Sequence, residues 1–246
     1  MTMRAPALAV AAACGALLVA AAAARATAPV PAGTITFLSG EASRTAAGAT
    51  ERLAVGSAVH QGDLIETQRR TRLELKLSDA SVLRLGPLSR VDLDAAAFGG
   101  SADDRKVSAR LRVGGVWASV TRALGGEARF EVKTENAVAG VRGTTFRVDA
   151  RRDQSVVVRV YSGTVAVAAG PLPRPDHAGA AAKPGKPERT QVAGPQQVTR
   201  EQWERIVTGM MQVRVAADGS PSEPREFALA KADEWETWNR QRDGAR

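Results

Sequence analysis

Arg72-Leu73-Glu74-Leu75-Lys76-Leu77 is the stretch that decides the fold. Leucine takes every second position and charged side chains take the others. This period of two puts one face in a core and the other in water, as a half-buried strand requires. The alternation returns at Val107, Ala109, Leu111 and Val113 against Ser108, Arg110 and Arg112, then at Phe130 and Val132 and at Phe146 and Val148. From Thr34 to Val167 such runs recur about every 8–12 residues, and no stretch holds helical periodicity for three turns. The reading is an all-β fold: about a dozen short strands in a flattened sandwich or short β-solenoid, with two short C-terminal helices. Gly62-Asp63, Asp79-Ala80 and Gly125-Gly126 mark turns, and Gly114-Gly115 and Ser162-Gly163 read as tight hairpin turns.

Composition narrows the chemistry. The chain has 246 residues, enough for one large domain or one domain with an appendage. Aromatics make up only 4%, so the core must be a thin one of Val, Leu and Ala. The histidines are His60 and His177, and the single cysteine is Cys14. A Cys/His zinc site, a disulfide framework within the chain and a cysteine–histidine nucleophile are thereby excluded. His60 reads as a surface or strand-edge histidine, and no GxSxG elbow offers a serine. Asp92, Asp94, Asp103 and Asp104 leave a meeting of carboxylates open. No catalytic residue, cofactor or metal is assigned, and the chain is expected not to be an enzyme.

Residues 1–26 read as a signal peptide. Arg4 precedes an uncharged run, Ala5 to Ala24, and Ala24-Arg25-Ala26 offers cleavage before Thr27. An uncleaved anchor is the rival, because roughly 20 apolar residues span a bilayer; lipidation at Cys14 is a third option. Each version places the remainder outside the cytoplasm, in the periplasm or secreted, with an inner-membrane anchor as runner-up. The formal charge is +8, and cleavage removes Arg4 and Arg25. Outside the cytoplasm that balance suits anionic envelope polymers, lipid head groups or a solvated surface rather than nucleic acid. Residues 33–168 form the expected β domain, and 169–189 a Pro/Ala/Gly-rich disordered insertion. Residues 190–246 form a returning strand with an α-helical extension. There Glu188–Val192 and Met211–Val215 read as strands. Thr199 opens a short helix with Gln202 as its capping partner and Trp203, Ile206 and Val207 on one face. Ser222 caps a last helix that accommodates Pro224 and aligns Phe227, Lys231, Trp235 and Trp238, to dock on the β body or to bind a partner.

The order of these features resembles a known family. Gly56, Gly62-Asp63, Thr67, Leu73–Leu77, Asp79-Ala80-Ser81, Leu83-Arg84-Leu85 and Gly115-Val116-Trp117 run in the order of the FecR-like domain. So do Phe130–Thr134, Ala137–Ala139, the specific phrase Val141-Arg142-Gly143-Thr144-Thr145-Phe146-Arg147-Val148, and Tyr161–Val167. The resemblance covers about Gly33 to Val167 and, weakly, Gln191 to Val198. The closing Trp235–Asp243 is similar to the tail of several secreted members. It implies a periplasmic, non-catalytic β module. The best-known members are membrane-spanning regulators of iron uptake, whose cytoplasmic segment controls an extracytoplasmic-function sigma factor. Four residues before the apolar run leave no such segment, so the expectation is a secreted binding or scaffold module. The alternatives are a membrane-tethered signalling component and a cell-wall attachment protein.

Candidate contacts follow from charge and geometry. Arg142 stands at the tip of an expected turn between Gly140 and Gly143, where a guanidinium can grip a carboxylate or phosphate in a bidentate pair. Arg69, Arg70 and Arg72 concentrate charge between two strands, as do Arg151 and Arg152. Trp235 and Trp238 are candidate partner anchors, whereas Trp117 and Trp203 read as packing residues. Gly62 and Asp63 read as turn-forming. The expected partner is an envelope protein or an anionic envelope polymer.

Overall fold

The computed structural model describes residues 30–98, 105–121, 129–170, 204–229 and 233–245. The strands in chain order are β1 (Gly33–Ser39), β2 (Ala42–Ala46), β3 (Ala49–Arg52), β4 (Ala58–Val59), β5 (Leu64–Thr67) and β6 (Arg72–Leu77). They continue as β7 (Val82–Leu85), β8 (Arg90–Phe98), β9 (Arg105–Ser119), β10 (Arg129–Lys133), β11 (Ala137–Val141) and β12 (Thr145–Ala150). The last are β13 (Val156–Ser162), β14 (Thr164–Ala169), β15 (Glu204–Thr208), β16 (Met211–Val215) and β17 (Arg225–Glu226), followed by the helix α1 (Glu234–Gly244).

Their pairing builds two sheets that share one strand. The first runs β4–β1–β6–β7–β9–β12–β13–β16–β17 and is antiparallel throughout. The second runs β3–β2–β5–β8–β9–β10–β11–β14–β15, with β9–β10 its one parallel pair. Strand β9 gives its residues up to Val113 to the second sheet and Gly114 to Ser119 to the first. One apolar cluster fills the space between the sheets, with Ile35, Leu73, Leu75 and Leu85 from one side and Ile65, Val91, Leu93 and Leu111 from the other. It is the thin aliphatic core that the composition implied, and all-β is the fold.

Several local expectations change. Gly114-Gly115 is no hairpin: it is where β9 bends from one sheet into the other. Gly114 has φ +100°, and a side chain there would overlap Ser89. The Ser89 hydroxyl fastens the bend, accepting from Gly115 N at 3.0 Å and donating to Gly86 O at 2.9 Å. Ser162-Gly163 is a corner between sheets, because β13 and β14 do not pair with each other. Corners of this kind consume left-handed backbone, even at Arg70, Leu88 and Met210 (φ +57°, +53° and +65°). Asp79-Ala80 is the expected turn, and it joins β6 to β7 as a hairpin.

The C-terminal part holds one helix among the described residues. Glu204–Thr208 is β15, in which Val207 is buried and Ile206 exposed, the alternation of a strand built on β-branched residues. Met211–Val215 is the strand read from sequence. Ser222 caps no helix; its hydroxyl accepts from Arg214 N at 3.0 Å, and Arg225–Glu226 pairs with β16. The helix begins only at Asp233, whose carboxylate accepts from Glu236 N at 2.7 Å. Residues 1–26, Gly125-Gly126, Glu188–Val192, Trp203, Lys231, and all but Ala169 and Gly170 of the insertion lie outside the described residues.

Candidate functional site

The outer face of the first sheet is organised in rows across the strands. One row follows the register Phe37, Glu74, Arg84, Trp117, Arg147, Arg159, Gln212, Arg225. The period of two assigns its charged positions to water, yet Arg84 is almost wholly buried and Glu74 and Arg147 nearly so, beside Trp117, the packing residue expected from sequence. The helix α1 lies over this half of the row.

A charge network fastens it. Arg84 donates to Glu74 at 2.7 Å and to the Asn239 carbonyl at 3.2 Å, and pairs with Asp243 at 2.7 Å. Arg242 returns from the helix to Glu74 at 3.0 Å, and Trp117 Nε1 donates to Asp243 at 2.9 Å. Burial opposes the charge on Glu74, but hydrogen bonds from Arg242, Arg84 and Thr36 hold its pKa down to about 2. Arg147 donates to Asp149 (2.9 Å) and Asp233 (2.8 Å), and its guanidinium lies 4.7 Å from the Trp235 ring centre. Burial disfavours that cation, and the two carboxylates more than restore it, raising its pKa above the ordinary arginine value.

The adjoining row explains an open cleft. Its positions on β9 and on the residue after β7 are Gly115 and Gly86, joined by Gly86 N to Gly115 O at 3.0 Å. With no side chains to fill this strip, the Trp235 ring settles against it and an open cleft of about 940 Å³ remains beside it. Arg69, Arg70 and Arg72 form one wall, Arg147, Asp149 and Asp233 another, and Pro87 and Leu88 part of the lining. Arg72 pairs with Glu234 at 3.6 Å, whereas Arg69 and Arg70 are exposed and form no ion pair among the described residues.

The structure thus brings Arg69, Arg70, Arg72 and Trp235 together. Trp238, one turn on, is half-buried, its ring 5.3 Å from that of Phe37. Both tryptophans therefore hold the helix to its own chain. Arg142 is exposed at the β11–β12 corner and lines none of this cleft. Gly143 supplies that corner's positive φ, but Gly140 forms no turn; it sits inside β11, opposite Glu131 and Ala166. Gly62 and Asp63 make the expected turn, Asp63 accepting from His60 N at 2.7 Å. Asp92 and Asp94 do not converge on a substrate position; each is paired across the second sheet, with Arg112 and Arg110. No group of three or more metal-ligating side chains occurs among the described residues. Sequence reasoning missed Glu74, Arg147 and Asp149, because only strand register puts them under the helix, and Asp233, because the sequence pattern starts that helix at Ser222. The tail Trp235–Asp243, with its mixed charges and two tryptophans, was the one signal for a buried polar partner.

A family model described as FecR protein matches residues 63–166, from the β4–β5 corner into β14. That stretch of the chain is a FecR domain, the resemblance read from its residues. Two crystal structures of a candidate anti-sigma factor from Parabacteroides distasonis are also similar, each with 17% identity and a TM-score of 0.46. The alignments cover 68% of this chain, which spans 61% of the length of those proteins. No curated protein matches the chain.

Proposed function

We propose that the chain is an exported, non-catalytic FecR-type binding module that holds an anionic component of the cell envelope in the cleft beside Trp235. The observation that carries this reading is the pair Arg69 and Arg70, exposed on the cleft wall and without an acidic partner among the described residues. Guanidinium forks are suited to carboxylate and phosphate groups, and the glycine floor leaves room for a polymer backbone beside the aromatic ring. Nothing in the cleft pairs a nucleophile with a base.

Sedimentation with purified peptidoglycan tests the reading. The chain should co-sediment at low salt and be released at roughly 0.5 M, where exposed charges are screened within about 4 Å. Arg69→Glu with Arg70→Glu should abolish co-sedimentation, and Arg142→Glu should leave it unchanged. Salt-independent binding, or a double variant that still binds, sinks the proposal. A membrane-tethered signalling component is the second reading, favoured by the length of the Ala5–Ala24 run and by the FecR domain. Intact mass by cell fraction separates the two. A periplasmic species beginning at Thr27 supports the free module, and an uncleaved chain in the inner membrane supports the tethered one.

A further inference from the structure

The helix covers only half of the row described above. Beyond Arg147 the row continues in the open through Arg159, Gln212 and Arg225, cross-strand neighbours on β13, β16 and β17. In the adjoining row Arg214 stands opposite Val157, and Arg151 follows the end of β12. These six residues line a second concavity of about 200 Å³.

Its charges do not balance. Arg159 is held in place, donating to Asp149 at 3.3 Å and to Gln212 at 3.2 Å. Asp149 is already shared with Arg147. Asp153, in the turn between β12 and β13, is engaged by the backbone N (2.9 Å) and hydroxyl (2.7 Å) of Ser155. Arg151, Arg214 and Arg225 are exposed and form no ion pair among the described residues. Like charges crowded on neighbouring strands of one face destabilise a sheet, and Asp153 offsets Arg151 and Arg214 only in part, by its charge and without an ion pair among the described residues.

We infer that this concavity is a binding site for a phosphate group. Guanidinium donors line it from three strand positions, Arg159, Arg214 and Arg225, and from Arg151 just after β12, and so surround a tetrahedral oxyanion, whereas one fork already satisfies a planar carboxylate. Charge decides the same way: a phosphate monoester carries about −1.5 to −2 at neutral pH and a carboxylate only −1. The volume accepts one such group with its nearest substituent and is below the ~300 Å³ at which sites for larger organic ligands begin. The residues are distinct from Arg69 and Arg70, so the inference does not rest on the cleft beside Trp235.

Thermal unfolding of the purified chain tests it, with inorganic phosphate titrated against chloride at constant ionic strength. Phosphate should raise Tm saturably by about 2–4 °C, and acetate should not. Arg214→Gln with Arg225→Gln should raise Tm in the absence of phosphate, by relieving repulsion, and lose the phosphate response. Arg151→Gln should weaken that response, and Arg69→Glu with Arg70→Glu should retain it. Glycerol phosphate, and vesicles of phosphatidylglycerol compared with phosphatidylcholine, separate the sources. A response to glycerol phosphate alone assigns a soluble or polymer-borne group, and selective vesicle binding that the Gln variants lose assigns a lipid head group. An equal response of wild type and Gln variants, or no saturable response to any probe, overturns the inference.

Discussion

Glu74 shows what a single position does in this molecule. Its carboxylate accepts from Thr36 within the sheet and from Arg84, and receives Arg242 from the helix. The folded pKa is depressed from 4.5 to about 2, so the stabilisation is complete above the ordinary glutamate value and is lost as pH falls towards 2. Its size at neutral pH is on the order of 2 kcal/mol once solvent screening is allowed for. Glu74→Gln should therefore lower stability by about that amount at pH 7 and flatten the pH dependence between about 5 and 2. Urea unfolding across that range measures both effects; a parallel acid limb in the variant counts against this role. The sequence made Leu73, Leu75 and Leu77 legible as core, since burial of leucine follows from alternation alone. It misled at Glu74 and Arg84, because a charged outward position looks the same whether water or a helix covers it.

The element that covers them is α1, and its seat depends on two absent side chains. A Cβ on Gly115 would come 2.9 Å from the Trp235 ring and 3.1 Å from Asp149, and one on Gly86 would come 3.1 Å from the same ring. Gly115→Ala should tilt the helix off the sheet at a cost of about 1–3 kcal/mol. Hydrogen exchange should show α1 losing protection while β6 and β7 keep theirs; unchanged protection in α1 would refute the seating. Strands were largely legible, Met211–Val215 to the residue, because period two needs no partner to be read. Helices were not: Ile206 and Val207 suit either period in a short run, and β15 is fixed by its pairing with β14. The Gly114-Gly115 bend was misread for a similar reason. Glycines between two apolar runs signal a change of direction, and only the partners β7, β8, β10 and β12 show that the strand continues.

For the molecule as a whole, β9 is the member that both sheets hold in common, and the core between them is continuous. Neither sheet can lose its inner face without exposing that of the other. Urea unfolding should accordingly be one transition, with coincident far-UV circular dichroism and tryptophan fluorescence curves. Two separated transitions would show that the sheets are independent units. Proteins of this topology make most of their contacts between distant residues, so folding should also be slow, in milliseconds to seconds. The strand order at the two ends has a further consequence. Among the described residues the first sheet finishes on β4 and β17, two residues each, and β1 carries a register shift between Ile35 and Phe37. The second finishes on β3 and β15, which carry Glu51-Arg52 and Glu204-Arg205. Short, bulged or charged margins give a stray extended chain little ladder on which to grow. A protein this rich in strands should therefore not seed fibrils of itself even at high concentration.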